Sequence, residues 1–375
     1  TKSGAYPIGT RMGENRDCIV LFPTNGVGFG HFTRLLSVAK KLQKSNPDLE
    51  IVFFTTMPTL HVLSDFGFPS YHVSGRYKYK RMEPDVWNSL CEEMLNMVFS
   101  LHRPKAFVFD GSFPYRGMLN ALKSQEDSML KVWLRRGAIR PGSRNIPVDS
   151  VNHFHAVIRP GDSVGLDSED ELDHGVSLVR CNPILLMDSD DFEPRGSLRS
   201  RLGIPSQSLV CYVQLGAGKI NDIDSEISIV LDALSNHEHV YAVIGESMLG
   251  NRISSQSDRV RILRDYPNSR YFRDFDFAIM AGGYNSFHEA IQASLPTICL
   301  PNMNTGRDDQ LARCSVAEEA GSMVVIKDKD PRIIKAAIDR IVESEVREIM
   351  RNNFLLLQRE NGAKQVAEWI ISQAF

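Results

Sequence analysis

Short, continuous apolar runs recur along the chain and alternate with longer stretches in which apolar residues return every three or four positions. The first kind predicts strands buried on both faces of a parallel sheet, and the second predicts the amphipathic helices that cover it. One series opens with a strand at Cys18–Phe22, a glycine loop and a helix over Phe32–Ser45, then a strand at Leu49–Phe54. It continues with strands at Pro69–Val73, Ala106–Phe109, Leu130–Leu134 and His153–Ile158. A second series runs through Leu209–Leu215, Val240–Ile244, Val260–Leu263, Phe277–Met280, Thr297–Leu300 and Met323–Ile326, with helices at Ile223–Ser235 and Arg332–Glu343 among them. Between them Asp188–Pro205 is rich in charge and proline and reads as a linker. The expectation is therefore an α/β protein with two Rossmann-like domains, residues 1–187 and 206–360 around a linker at 188–205. Ligands of such sheets bind beyond the carboxyl ends of the strands, so the cleft between the domains is the expected site. The last helix, Ala363–Ser372, carries Val366, Trp369 and Ile370 on one apolar face.

Composition narrows the function. With 375 residues the chain is long enough for two cores. A net charge of -3 and a pI near 6.4 leave no electrostatic case for nucleic acid as the main partner. Cys18, Cys91, Cys181, Cys211, Cys299 and Cys314 are scattered without metal-ligand spacing, several in apolar runs. They read as buried thiols in a reducing cytosol. No apolar stretch has the length of a membrane span, and Thr1–Asp17 lacks the apolar core of a signal peptide. Met12, just ahead of the first strand, reads as a natural start, with residues 1–11 as additions.

The chemistry concentrates where the strand Phe277–Met280 gives way to a helix, at Ala281-Gly282-Gly283-Tyr284-Asn285-Ser286. A glycine turn opening a helix presents backbone N–H groups and a positive helix end to an anion, and glycine lets a phosphate approach. Glu289, a turn into that helix, is placed to accept both hydroxyls of a ribose. Twenty residues later Asp309-Gln310 can read sugar hydroxyls. A glycine turn alone is common in α/β proteins, whereas the whole spacing is specific. Gly283, Asn285, Ser286, Glu289, Pro296, Pro301, Asp309 and Gln310 together resemble the nucleotide-sugar signature of the UDP-glycosyltransferase superfamily, with Tyr284 in place of a tryptophan. The segment is similar also to the bacterial N-acetylglucosaminyltransferases that complete lipid II. The family's pyrophosphate-binding histidine falls on Ala281, so phosphate binding would lean on backbone amides and on Asn285 or Ser286.

Gly26-Val27-Gly28-Phe29-Gly30-His31-Phe32-Thr33-Arg34 opens the first helix. A dinucleotide fingerprint would need a third glycine at G-x-G-x-x-G spacing and an acidic residue closing the second strand; neither is present. The segment resembles instead the Gly-His-x-x-Pro element of the glycosyltransferases, with Arg34 in the proline position. There Gly28, Gly30 and Arg34 would form the acceptor-side loop. The resemblance implies His31 as the base for an acceptor hydroxyl, a role an imidazole suits because it titrates near neutral pH. Asp110, closing the strand Ala106–Phe109, looks like the family's orienting aspartate; its alternative is to cap the following helix.

Gly216-Ala217-Gly218-Lys219 ends the first strand of the second series, where Gly216 and Gly218 allow close approach of the donor and Lys219 offsets pyrophosphate charge. Tyr266 stands where related enzymes hold the nucleobase, with uridine the default. Asp188-Ser189-Asp190 and Asp274-Phe275-Asp276 have the form of a metal-binding Asp-x-Asp, but that motif belongs to glycosyltransferases of another fold, and no metal is assigned. Basic stretches at 76–81 and at Arg135, Arg136, Arg140 and Arg144 are solvent-facing loops, or else contacts for an anionic acceptor or an acidic membrane surface. The resemblance as a whole implies the GT-B architecture, with 361–375 crossing back onto the first domain. It implies a cytoplasmic, inverting, metal-independent glycosyltransferase without a cofactor that uses a nucleoside diphosphate sugar, by default a UDP-sugar. The acceptor is a lipid-linked saccharide, a polysaccharide or a small natural product. The rival expectations are a nucleotide-sugar hydrolase or epimerase on the same fold and a non-catalytic nucleotide-sugar-binding subunit.

Overall fold

The computed structural model describes residues 17–24, 29–58, 61–125, 127–135, 148–162, 176–216, 223–246, 257–306 and 308–375. Seven strands build a first sheet: β1 (Cys18–Pro23), β2 (Glu50–Thr55), β3 (Ser70–His72), β4 (Ala106–Asp110), β5 (Leu130–Leu134), β6 (Ala156–Pro160) and β7 (Ser177–Cys181). Six build a second: β8 (Leu209–Gln214), β9 (Val240–Gly245), β10 (Val260–Leu263), β11 (Phe277–Met280), β12 (Thr297–Cys299) and β13 (Met323–Val325). Their orders are β3-β2-β1-β4-β5-β6-β7 and β10-β9-β8-β11-β12-β13, with every pair parallel. Each order reverses beside its first strand, between β1 and β4 and between β8 and β11. Those switch points open a crevice at the carboxyl ends of the strands. Two Rossmann-like sheets are what the alternation of apolar runs predicted.

β7 was not legible in the pattern. It is an edge strand whose side chains are exposed or half-buried, so selection for apolar residues is weak there. The helix Pro84–His102 was also passed over. Proline fits its first turn, Arg103 ends it in a left-handed conformation, and Trp87, Cys91, Leu95, Val98 and Phe99 bury one face. That face covers the outer side of the first sheet, together with Val20, Phe22, Phe107 and Phe109. A second apolar layer, with Val213, Ile244, Ile279 and Ile338, covers the outer side of the other sheet.

The inner faces share one continuous apolar cluster, from Leu35 and Phe53 through Ile184, Leu186 and Phe192 to Tyr212, Phe287 and Ile370. The segment between the sheets is thus pinned rather than loose. Asp274 accepts a hydrogen bond from the Leu198 N–H (2.7 Å), and Asp276 binds the Arg199 guanidinium and the Val210 N–H, both at 2.8 Å. The second Asp-x-Asp is therefore structural. In the first, Asp188 accepts from Asn361 Nδ2 (2.9 Å) and pairs with Lys41, while Asp190 is exposed. The final helix, Gly362–Ala374, runs beside the first helix, and its start is tied to the loop after β7 by the Gly362 N–H to Pro183 carbonyl bond of 2.8 Å. Arg76–Lys78 form one exposed 3-10 turn, with Tyr77 69% exposed. Arg135 is buried over the Trp133 ring; Arg136, Arg140 and Arg144 lie outside the described residues. All six cysteines are free thiols and five of them are buried. Among the described residues no helix is long and apolar enough to cross a membrane.

Candidate active site

A cavity of about 740 Å³ lies between the two sheets and is lined from both. Apart from Tyr212 and Gln214 of β8, the lining residues sit on loops and helices that follow the carboxyl end of a strand. The first half contributes Gly30, His31, Thr33 and Arg34 from the helix after β1, and Ser112 and Phe113 after β4. Asp110 is the last residue of β4, beside Pro23 of β1, which brings it under that helix. His31 Nδ1 lies 2.7 Å from Asp110 Oδ1. Arg34 grips the same carboxylate with both arms, Nε to Oδ2 at 2.9 Å and Nη2 to Oδ1 at 2.8 Å. Burial alone would raise the Asp110 carboxyl, but the Arg34 charge and the His31 ring prevail and hold it below the usual carboxylate range. Asp110 is thus an anion at neutral pH and can only accept, so the 2.7 Å contact has the His31 Nδ1–H as its donor. The ring, 22% exposed, then presents Nε2 as its free acceptor on the cavity side.

The second half supplies Ala281, Gly283, Tyr284, Asn285, Ser286 and Glu289 after β11. Two amides of the turn are already used: Ala281 N–H donates to the Gln214 carbonyl (3.0 Å) and Gly282 N–H to Gln310 Oε1 (3.1 Å). Gly282 owes its small size to packing, because a Cβ there would strike Cys314 Sγ. Gly283 differs. Nothing lies within 4 Å of the Cβ it lacks, it caps the helix without a side-chain bond, and it lines the cavity together with Tyr284, Asn285 and Ser286 of the first turn. Asn285 Oδ1 is buried beside that space with no hydrogen-bond partner. Glu289, within the same helix, has its carboxyl pushed up to about 8 by burial. Ser269 lies against it and offsets a little of that rise, yet its hydroxyl makes no hydrogen bond of good geometry.

The remaining expected residues are placed as follows. Gly216 lines the cavity in a left-handed conformation, φ +103°, that glycine alone adopts readily. Gly28, Gly218 and Lys219 lie outside the described residues. Tyr266 lines the cavity, but its hydroxyl bonds Thr33 Oγ1 (2.5 Å) and its ring packs on Phe29 at 5.0 Å, so it bridges the two halves. Gln310 holds the turn together, its Oε1 accepting from Gly282 and also from the Asn302 N–H at 2.9 Å. Asp309 caps its own helix, accepting from Ala312 N–H at 3.0 Å, and it is Asp308 that lines the cavity.

The groups that join the halves are not among the residues expected from the sequence. Arg313 is fully buried and reaches Asp162 (Nη2 to Oδ2, 2.8 Å), the Gly282 carbonyl (2.7 Å) and Asp308. Asp162 follows β6, so this pair spans the two sheets; burial opposes its charge, but His288 and Arg313 hold the carboxyl well below the usual range. Tyr284 donates to the Gly161 carbonyl at 2.6 Å, with Arg34 and Arg313 facing its ring at 5.7 and 5.5 Å. Arg313 shares a helix face with Gln310 and Ala317, both buried. Glu246, buried at the end of β9 and paired with Arg264 (2.8 Å), is a further carboxylate on the cavity.

No protein-family model matches the chain, and no curated protein sequence does. Solved structures do. MurG of Acinetobacter baumannii is 13% identical with a TM-score of 0.61, over 95% of this chain and 99% of its own. The calicheamicin glycosyltransferase CalG4 is 15% identical at a TM-score of 0.61, over 96% and 98%. The spinosyn rhamnosyltransferase SpnG, complexed with thymidine diphosphate, is 12% identical at 0.61, over 95% and 99%. The fold is GT-B. The cleft between the sheets holds the His31–Asp110 pair on one wall and the Gly283 helix start on the other.

Proposed function

We propose that the protein is an inverting glycosyltransferase that moves a sugar from a nucleoside diphosphate to an acceptor hydroxyl without a metal ion. The carrying observation is the His31–Asp110 pair, 2.7 Å apart, facing the Gly283 helix start and Glu289 across one cavity. His31 Nε2 takes the acceptor proton as the hydroxyl oxygen bonds the anomeric carbon. The bond from that carbon to the diphosphate oxygen breaks on the opposite face, and the nucleoside diphosphate leaves with the electron pair. Asp110 supports the imidazolium that forms. Backbone N–H groups beyond Gly283, with Asn285 and Ser286, receive the growing diphosphate charge as preorganised dipoles. Glu289 holds the ribose. Asp308, in place of the expected Asp309, faces the sugar. The donor is a pyrimidine nucleotide sugar, with uridine the default and the thymidine diphosphate of SpnG as the alternative base. The exposed Tyr77 within the basic 76–81 stretch is the proposed contact with an acidic membrane face or an anionic acceptor.

The test is turnover of UDP- and TDP-sugars with an acceptor panel in excess EDTA, with the product anomer assigned by NMR. Transfer with inversion and no loss in EDTA is expected. Retention of configuration, abolition by EDTA, or stoichiometric free sugar without acceptor would each sink a named part of the proposal.

A further inference from the structure

Arg34 does more in this site than fill space. Its side chain is 3% exposed, in the first turn of the helix that also carries His31. It holds both oxygens of Asp110, and its Nη2 sits 2.9 Å from the same His31 Nδ1 that faces Asp110. Two donors cannot bond each other, so with Nδ1 protonated the Arg34 fork and the His31 N–H both aim at Asp110, which accepts from both. The carboxylate can turn neither toward solvent nor away from the ring. On its other side Arg34 faces the Tyr284 ring at 5.7 Å, and Tyr284 begins the donor-side helix.

We propose that Arg34 is a positioning residue: it fixes Asp110 in the orientation that selects the His31 tautomer. The inference rests on the base role proposed for His31. It explains why a buried arginine, costly to desolvate, stands one helical turn from the base. The titratable groups facing it are the Asp110 and Asp308 carboxylates and the Tyr284 phenol, and those facing Asp110 are Arg34 and His31. Removing the Arg34 cation while Asp110 stays anionic leaves that carboxylate facing the His31 ring alone, a change that the pH profile of turnover reads.

The experiment compares the full chain with R34A, R34K, D110N and R34M/D110N. For R34A, kcat falls about tenfold or more while the donor KM changes little, and the acid limb of kcat/KM moves up by roughly one pH unit. R34K, which keeps the charge and loses the fork, leaves the limb near its parental place and recovers part of kcat. R34M/D110N matches D110N alone, because Arg34 acts through Asp110. An unmoved acid limb in R34A would overturn the proposal, as would R34M/D110N falling far below D110N. If R34A does not fold, the paired-charge variant R34M/D110N carries the test by itself. Imidazole nitrogen NMR shifts read the tautomer without turnover: Nδ1–H in the parent, a mixture in R34M. A single unchanged tautomer in R34M also overturns it. Full activity of H31A would instead remove the base role, leaving the tautomer measurement to decide whether Arg34 positions the ring.

Discussion

The two walls of the cavity are built on opposite principles. On the first-half wall every charge is matched: Asp110 is held by Arg34 and His31, all three from neighbouring elements. On the second-half wall Asp308 and Glu246 are paired with Arg313 and Arg264, but other polar groups are left open: Asn285 Oδ1 and Ser269 Oγ have no hydrogen-bond partner, and Glu289 is buried deeply enough to keep its proton near neutral pH. A catalytic group needs its geometry fixed before substrate arrives, because reorganisation during reaction adds to the barrier. A binding wall keeps donors and acceptors unpaired for the ligand, at a cost in stability that ligand binding returns. The comparison predicts that variants on one wall change turnover and variants on the other change donor affinity.

The largest effects test that division. H31A should lower kcat by about 10²–10⁴-fold while UDP still raises the melting temperature as in the parent. A parallel loss of UDP stabilisation would merge the two walls. R313M should destabilise the protein by about 3–5 kcal/mol in denaturant melts, because it leaves Asp162 and the half-shielded Asp308 without their shared cation. Little change would show that the two halves do not depend on that pair.

E289Q should weaken donor binding by about ten- to a hundredfold in titration calorimetry, the loss of a charged acceptor, with a smaller effect on kcat at saturation. The raised carboxyl adds a sign. With the ribose role proposed for Glu289, hydroxyls donating to it would favour its anion, so donor binding should release a proton at pH values below about 8, read from the dependence on buffer ionisation heat. In the free protein the same carboxyl binds a proton that the unfolded chain has lost, so stability should decline as pH rises from 4.5 toward 8, and E289Q should flatten that decline. Smallest is D309A, expected to lose about 1 kcal/mol of stability as a helix cap with donor affinity intact, whereas D308N should weaken the donor. The reverse pattern would restore Asp309 to the sugar.

The glycine turn, Glu289 and the His31 element were legible because each is a local spacing on a strand-to-helix junction, and such junctions sit at the carboxyl edge of any parallel sheet. The Asp308–Asp309 distinction was not, since which of two adjacent carboxylates caps a helix and which faces a cavity depends on where the helix begins, within one residue. Asp188 and Asp274, alike in motif, were separated only by what surrounds them.

By itself the sequence determined the two strand-helix series and the residues carrying chemistry at their junctions, because apolar periodicity and turn composition are local properties. Only the tertiary structure decided how the halves meet. The Arg313–Asp162 pair, the Tyr284 hydroxyl on Gly161 and the Tyr266–Thr33 bond join residues more than a hundred positions apart in sequence. No pattern along the chain encodes such pairs, because a buried charge reveals its partner only once both are removed from water.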